Sequence, residues 1–304
     1  MAAAIEVQNL RKVYGDVVAV ADVSFRVDEG EIFGMVGPNG AGKTTTIECI
    51  EGLRRPDAGG ATVLGLDPQR QGHALRQRIG VQLQQAALPD RLRVWEALDL
   101  FASLYPHSAD WETLLEQLGL ADKRKAAFSS LSGGQKQRLL IALALVHEPE
   151  IVFLDELTTG LDPQARRAMW DLVLSIRERG KTVFLTTHYM EEAEHLCDRV
   201  AIMDAGAIVT LDTPTNLVRS LAADRRVIFN VIGPFDEQTL QALPAVTHVE
   251  RANDHVVVSG HSDGLVSSVV NALDAAGTRF RDLRTEQPSL EDVFLALTGR
   301  GMRD

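Results

Sequence analysis

The segment from Gly37 to Thr44, GPNGAGKT, decides the fold, because it places a glycine-rich loop between a strand and a helix. The residues before it predict a buried strand over 31–36, and those after it predict a helix from Lys43 to about Gly52. Glycine lets the backbone turn tightly and point its N–H groups inward, while the helix start adds the positive end of its dipole. A chance glycine-rich turn would lack both flanking elements, so the segment predicts a phosphate-binding loop.

Two residues of this loop are predicted to contact a nucleotide directly. Lys43 is expected to reach the β- and γ-phosphates, and the Thr44 hydroxyl is expected to ligate Mg²⁺. ATP and Mg²⁺ are therefore the predicted cofactors.

An acidic pair follows another apolar run, IVFLDE over residues 151–156. Asp155 would emerge at the end of this strand, where Mg²⁺ would sit, and Glu156 could polarise an attacking water as general base. A solvated acidic pair at a strand end is the alternative, and only the combination with the loop favours catalysis. His188 ends a further apolar run, TVFLTTH, so we predict that it contacts the γ-phosphate rather than serving as surface polarity.

Two weaker candidates remain open from the residues alone. Gln82 and Gln84 lie on the same face of a predicted strand, so periodicity does not choose between them. Tyr14 could stack on adenine, although a half-buried strand tyrosine is the default interpretation.

A second glycine-rich motif, LSGGQ at residues 131–135, precedes the apolar run LLIALALV. One fold unit cannot easily bring this motif and the phosphate loop to the same phosphate, whereas two facing copies can. The pair of motifs therefore predicts a machine that closes on ATP.

Composition limits the function classes. The 304-residue chain has 31 basic and 42 acidic residues, a net charge of −11, which argues against a general nucleic-acid binder. Two cysteines without metal spacing indicate a reduced cytosolic compartment. We expect no signal peptide, and no apolar run approaches the roughly 20 residues that span a bilayer, so any membrane role would come from a partner chain.

The pattern of elements predicts an α/β fold of the P-loop NTPase (RecA-like) type, with an antiparallel β layer and a helical subdomain at about 86–148. This ATP-binding domain is expected to cover residues 1–220. Residues 221–304 predict a small α+β accessory or regulatory domain with the order βαββαβ, a ferredoxin-like arrangement, followed by a terminal helix at 290–297. That domain could regulate, stabilise a dimer, or simply cover a sheet edge.

Over about residues 4–217 the chain resembles the ATP-binding subunits of ABC transporters. The resemblance places Gln84, rather than Gln82, at the Q-loop position, with a further contact to Mg²⁺. It also implies a site in which LSGGQ acts in trans, across a head-to-tail homodimer. The residues implied are Tyr14 for adenine; Gly37, Pro38, Asn39, Gly40, Ala41, Gly42, Lys43, Thr44 and Thr45 for Walker A; Leu131, Ser132, Gly133, Gly134 and Gln135 for the signature; Asp155 and Glu156 for Walker B; Asp162 for the D-loop; and His188 for the switch.

The resemblance is strongest to ATPases of daunorubicin-resistance exporters, on the strings LTTHYMEEAEHLCDRVAIMDAG and PSLEDVFLALTG. It implies a motor subunit at the cytoplasmic face of the membrane, held there by a separate transmembrane permease, with drug, lipid or polysaccharide-like cargo. One departure is Leu157, because the family usually has proline after the catalytic glutamate. Leucine restores a backbone N–H and loosens φ there, so the placement of Glu156 could shift.

Three alternative functions fit the sequence less well. A soluble ABC-type ATPase acting on nucleic acid or ribosomes would carry a long coiled coil or a second ATPase domain, whereas only 47 positions separate Gln84 from Leu131 and one set of motifs is present. An importer ATPase would have a longer C-terminal extension. A kinase or GTPase outside the family would lack the signature, and a GTPase would need an Asn-Lys-x-Asp segment.

Overall fold

The computed structural model describes residues 2–83, 87–221, 225–233, 235–260, 264–286 and 288–299. The described residues up to Pro214 form one compact unit, and those from Thr215 onward form a second. The sequence-based boundary after residue 220 differs, because the helix Pro214–Ser220 falls almost entirely in the second unit.

A six-stranded sheet is the centre of the first unit, with neighbouring strands parallel except for the last pair. Its strands run in the order β5-β6-β7-β3-β8-β9. Strands β3, β6 and β7 are buried along their whole length, as expected where both faces of a parallel sheet are covered. The strands are β3 (Ile32–Val36), β5 (Ile79–Gln82), β6 (Ile151–Asp155), β7 (Thr182–Thr187), β8 (Arg199–Asp204) and β9 (Ala207–Asp212).

An antiparallel layer of three strands, in the order β2-β1-β4, packs against one face of this sheet. The strands are β1 (Ala3–Tyr14), β2 (Val17–Asp28) and β4 (Ala58–Val63). Aromatic rings join the two layers: Phe25 of β2 stacks on Phe33 of β3 with ring centroids 5.2 Å apart, and Phe33 packs on Phe184 of β7 at 5.4 Å. The two layers therefore share one apolar core.

Helices complete the first unit, and three of them, Val94–Ala102, Trp111–Gln117 and Gly133–Leu145, lie in the range predicted for the helical subdomain. They are α1 (Lys43–Ile50), α2 (Gly72–Arg76), α3 (Val94–Ala102), α4 (Trp111–Gln117), α5 (Gly133–Leu145), α6 (Pro163–Glu178) and α7 (Met190–Leu196), with two short 3₁₀ turns at Ala121–Lys123 and Phe128–Ser130. No helix among the described residues is long and apolar enough to cross a bilayer.

The second unit has the predicted βαββαβ order and its own apolar core. Its sheet is antiparallel throughout, in the order β11-β12-β10-β13. Phe229 and Leu265 are buried at its centre, so the unit has a hydrophobic core of its own. The elements are α8 (Pro214–Ser220), β10 (Arg225–Ile232), α9 (Gln238–Gln241), β11 (His248–Ala252), β12 (His255–Gly260), α10 (Leu265–Ala275), β13 (Arg279–Glu286) and α11 (Leu290–Thr298).

Candidate nucleotide-binding site

Three adjacent parallel strands, β6, β7 and β3, end at the same edge of the central sheet. Val36 lies opposite Thr187, and Asp155 lies opposite Thr186. The carboxyl ends of these strands therefore bring together the glycine-rich loop after β3, the acidic pair at the end of β6 and His188 after β7. Ligands bind at this edge in open α/β sheets.

Glycine is required at three positions of the loop, for different structural reasons. A Cβ atom at Gly37 would collide with the backbone oxygen of Met203, and one at Gly42 would collide with the backbone oxygen of Ala19. Gly40 has open space around it but a φ of +82°, a conformation that favours glycine. The loop can therefore keep this shape only with glycine at these positions. Helix α1 begins at Lys43, directly after Gly42, and within the described part of the chain no side chain caps its start.

Lys43 is the cation of the loop. Its side chain is buried, and Nζ donates to the carbonyl oxygens of Gly37 at 2.7 Å and Pro38 at 3.0 Å. Burial lowers the pKa of Lys43, while the charges of Glu156 and Asp155 oppose that change. The ammonium group thus lies inside the loop, close to both carboxylates. Of the other predicted loop residues, Ala41 is buried, Pro38, Thr44 and Thr45 are half-buried, and Asn39 is exposed.

Asp155 is buried and accepts a hydrogen bond from the hydroxyl of Thr186. Burial raises the pKa of Asp155 and the charge of Glu156 adds to this, whereas hydrogen bonds from Thr186 and Thr44 and the charge of Lys43 act in the opposite direction. A carboxylate and a hydroxyl oxygen side by side are the donor chemistry that a hard cation prefers, so Thr44 and Asp155 fit Mg²⁺.

Glu156 lies beside Asp155 in a left-handed conformation, with φ +49°. Its N–H donates to the Thr186 carbonyl at 3.1 Å, and its carboxylate accepts from Thr159 at 3.4 Å. His188 Nδ1 lies 3.5 Å from Glu156 Oε1. A non-glycine residue in this region is uncommon and is found at functional sites. Leu157 is buried, and because a residue before proline is biased toward extended backbone, leucine suits the observed φ of Glu156.

The second glycine-rich motif caps helix α5. Ser132 accepts a hydrogen bond from the N–H of Gln135 at 3.4 Å, and Gln135 Oε1 accepts one from the N–H of Ser132 at 3.0 Å, so the two form a capping box. Leu131 is buried beneath them, while Ser132 and Gly133 are exposed and Gly134 is half-buried. Among the described residues, no hydrogen bond or ion pair links residues 131–135 to residues 37–45.

Asp162 caps α6, accepting from the N–H of Ala165 at 2.9 Å. The start of α6 lies next to the signature motif, since a Cβ atom on Gly134 would stand 3.5 Å from Ala165, and one on Gly133 would stand 3.8 Å from Leu161. The predicted D-loop and signature motif therefore occupy one patch of the same protomer.

Tyr14 and Gln84 are the remaining predicted residues of the site. Tyr14 is the last residue of β1 and is 39% exposed. Its ring already makes cation–π contacts with Arg54 and Lys12, which lie 5.3 Å and 5.5 Å from the ring centroid. Gln84 lies outside the described residues. Gln82 is buried and its amide donates to the Leu83 carbonyl at 2.7 Å.

Sequence reasoning missed Thr186, which contacts both acidic residues of the site. Its hydroxyl donates a hydrogen bond to Asp155, and its oxygen accepts one from the Glu156 N–H at 3.2 Å. The signal was present in TVFLTTH, where two threonines precede the histidine at the end of a buried strand. Only the pairing of β6 with β7 shows which of them faces the carboxylates.

The fold and the site define a P-loop ATPase, and comparison with known proteins gives its family. The family model described as ABC transporter matches residues 20–159. Full-length relatives include the linearmycin resistance ATP-binding protein LnrL of Bacillus subtilis, 36% identical over 99% of this chain and 100% of that protein, and the daunorubicin resistance ATP-binding protein DrrA3 of Streptomyces coeruleorubidus, 40% identical over 99% and 97%. The Nod factor export ATP-binding protein I of Burkholderia lata is 41% identical over 99% of both chains.

Solved structures agree with this placement. An ATP-binding subunit of an ABC transporter has 30% sequence identity and a TM-score of 0.65, covering 72% of this chain and 93% of that one. A dimeric ATP-binding cassette in a post-hydrolysis state with ADP and Pi has 28% identity and a TM-score of 0.61, covering 69% and 98%.

The chain belongs to the ATP-binding subunits of ABC transporters. It is an ATP-binding motor subunit whose full-length relatives are resistance and export ATPases, so the predicted fold, family and ATPase activity are confirmed. The solved dimeric cassette shows that an ATP-binding cassette similar to this chain pairs with a second copy.

Proposed function

We propose that two copies of this chain pair head to tail and hydrolyse ATP at their interface to drive an exporter. The observation that carries the proposal is the separation of two half-sites within one protomer. Lys43, Asp155, Glu156 and His188 gather at one sheet edge, while Ser132 lies exposed at the start of a 13-residue helix, and within the described ranges no hydrogen bond joins it to the loop. A second copy can supply its Ser132 helix to the phosphates held by the first.

Each residue at the sheet edge has a distinct role in this proposal. Lys43 would exchange its bonds to the loop carbonyls for the β- and γ-phosphate oxygens. Glu156 would orient and polarise the attacking water, and His188, 3.5 Å from its carboxylate, would contact the γ-phosphate. Thr44 and Asp155, with Gln84 as a further oxygen donor, would hold Mg²⁺, which when bound neutralises charge on the phosphates.

The trans arrangement is tested by mixing two inactive variants. Lys43→Ala removes the cation of one half-site, and Ser132→Asp keeps a good helix cap while placing negative charge where the phosphate would bind. If the sites form in trans, each mixed dimer has one site with both lesions and one intact site. Random pairing of equal amounts then restores about a quarter of wild-type ATPase activity.

The control for this mixture is Ser132→Thr, which keeps the hydroxyl and the cap. We expect Ser132→Thr alone to remain active, and its mixture with Lys43→Ala to show the activity expected from dilution. Absence of rescue in the Lys43→Ala and Ser132→Asp mixture, with mixed dimers verified by two affinity tags, would show that the signature acts in cis.

The proposed role of Glu156 has its own test. Glu156→Gln keeps the shape of the side chain but cannot accept a proton, so we expect ATP affinity to persist, turnover to be nearly abolished, and a dimer to accumulate in ATP and Mg²⁺. Gel filtration with ATP measures the dimer. Glu178→Gln, an exposed change on α6, is the matched control and should behave as wild type.

We propose that the permease docks on a cavity of about 480 Å³ in the first unit. Leu53 after α1 and Leu83 after β5 line this cavity and are 54% and 42% exposed. The proposed occupant is therefore a short segment of the permease that presents apolar side chains to these two leucines.

The docking proposal predicts a selective loss of assembly. Leu53→Asp should prevent co-purification of the permease while the isolated subunit keeps its ATPase activity. Val209→Asp, an equally apolar and 40% exposed position on β9, is the control. Co-purification that survives Leu53→Asp would contradict docking at this cavity. A permease partner would hold the chain at the cytoplasmic face of the membrane.

The cargo proposal rests on the relatives. Two of them are named for resistance to linearmycin and daunorubicin and one for export of Nod factor, so we propose outward transport of a drug-, lipid- or polysaccharide-like molecule. Action on nucleic acid is disfavoured by the net charge of −11. Import is disfavoured because the full-length relatives are resistance and export subunits. Drug efflux from vesicles containing the subunit and its permease, compared with Glu156→Gln vesicles, tests the direction.

We also propose that the second unit, from Thr215 onward, stabilises the dimer rather than only covering a sheet edge. Its separate apolar core, built around Phe229 and Leu265, makes it an independent module that full-length relatives share.

A further inference from the structure

Glu192 is a buried carboxylate that the proposed ATP chemistry does not use. It lies in the first turn of α7 and is 1% exposed. Burial raises the pKa of Glu192, and the hydroxyls of Thr187 and Thr158, the indole N–H of Trp170 and the charge of Arg166 act in the opposite direction. Burying a carboxylate costs free energy unless hydrogen bonds or opposite charges compensate, and these four side chains supply that compensation.

The carboxylate joins two helices that each leave the nucleotide edge. Trp170 of α6 donates its indole N–H to Glu192 Oε1 at 3.2 Å, and the same ring packs on His195 of α7 at 4.8 Å between centroids. Helix α6 begins directly after Asp162, and α7 begins two residues after His188. The contact therefore connects the segment that follows Glu156 with the segment that carries the switch histidine.

A second contact ties the same helices closer to the site. The guanidinium of Arg166, in the first turns of α6, lies over the ring of Tyr189 at 4.4 Å. Tyr189 packs in turn on His188, with ring centroids 4.1 Å apart. The N–H of Tyr189 donates to the hydroxyl of Thr187 at 3.0 Å, so the turn that presents His188 is held from both sides.

We propose that Glu192 is a positioning residue for ATP hydrolysis, which locks α6 to α7 so that His188 and the segment from Leu157 to Asp162 move as one body. This inference rests on the proposed roles of His188 and Glu156. Its consequence is that a displacement of the D-loop by the partner protomer reaches the switch histidine of the same protomer through Trp170 and Glu192.

The test uses Glu192→Gln, with Glu191→Gln as the matched control, because Glu191 is exposed in the same turn of α7. Misplacing a catalytic group by a fraction of an ångström lowers the rate without weakening substrate binding, so we expect kcat to fall at least about tenfold with KM and ATP affinity within about twofold of wild type. Glu191→Gln should match wild type in all three quantities. Trp170→Phe, which removes the indole N–H donor together with part of the buried ring, should lower kcat in the same direction if Glu192→Gln fails to fold.

A double-mutant cycle with His188→Ala separates positioning from general packing. If Glu192 acts through His188, Glu192→Gln should lower kcat in the wild-type background and have no further effect in the His188→Ala background. Equal fold-losses in both backgrounds would overturn the inference and assign Glu192 to packing alone.

Two further outcomes distinguish the inference from the proposed function beneath it. A His188→Ala enzyme with a strongly lowered but measurable kcat, together with fully active Glu192→Gln, would overturn the inference and leave the role of His188 standing. Fully active His188→Ala would refute the proposed switch, and the positioning inference would fall with it.

Discussion

Replacing Glu51 with glutamine should change how the stability of the first unit depends on pH. Glu51 follows α1, is 2% exposed, and has a carboxylate oxygen without a partner among the described residues. Burial raises the pKa of Glu51 from 4.5 to about 8, with the charges of Asp155 and Glu48 adding to the effect. The folded protein therefore keeps a proton that the unfolded chain releases above pH 4.5.

The sign and size of the effect follow from proton linkage. Because the folded state binds more protons between pH 4.5 and pH 8, the free energy of unfolding falls as pH rises through this window, by up to about 1.4 kcal/mol per pH unit. Between pH 5.5 and pH 7.5 the wild-type protein should lose up to about 2.7 kcal/mol more than Glu51→Gln does. Glutamine should thus stabilise the first unit most at the higher pH.

The chain offers a convenient optical assay. Its three tryptophans, Trp95, Trp111 and Trp170, all lie in the first unit, so urea unfolding followed by tryptophan fluorescence reports that unit alone. Glu116→Gln, an exposed change on α4, is the control and should leave the pH dependence unchanged. Parallel pH profiles for the wild type and Glu51→Gln would refute the buried, protonated state of Glu51.

Three further predictions concern the site and the second unit. Thr186→Val should raise the pKa of Asp155 further and destabilise the protein by about 1.5–3 kcal/mol, because a buried carboxylate loses its hydrogen-bond donor. Urea unfolding and ATPase assays check this prediction. The control, Thr182→Val on the same strand, should lower stability without lowering kcat. Lys43→Ala should weaken ATP binding itself in calorimetry, whereas wild-type affinity would contradict the loop assignment. Removal of residues 215–304 should leave ATP affinity intact but weaken self-association and lower the ATPase rate in ultracentrifugation and turnover assays; unchanged values would reduce the second unit to a cover.

Much of the fold could be predicted from the sequence because the patterns that indicate its strands, helices and loops are local. Alternating runs and turns indicated the antiparallel layer, and a strand-loop-helix pattern around Gly37–Thr44 indicated the phosphate loop. The acidic pair Asp155–Glu156 was found because four apolar residues precede it. Each of these patterns lies within about ten consecutive residues, where periodicity and turn chemistry act directly.

Contacts between residues that are distant along the chain could not be predicted from the sequence. The order β6-β7-β3 places Thr186 against Asp155, and the crossing of α6 and α7 places Trp170 against Glu192, but these partners are 31 and 22 residues apart along the chain. No periodicity reports such contacts. The choice between Gln82 and Gln84 came only from resemblance, and Gln84 lies outside the described residues.

The capping box of α5 gives position 132 two duties of different kinds. Within its own protomer Ser132 caps the beginning of α5 by bonding to Gln135. In the proposed dimer its hydroxyl and the neighbouring N–H groups contact a phosphate. A library of substitutions at this position would therefore confuse lost folding with lost catalysis. Only side chains that still cap a helix, such as threonine, aspartate and asparagine, can distinguish a loss of phosphate contact from a loss of helix stability.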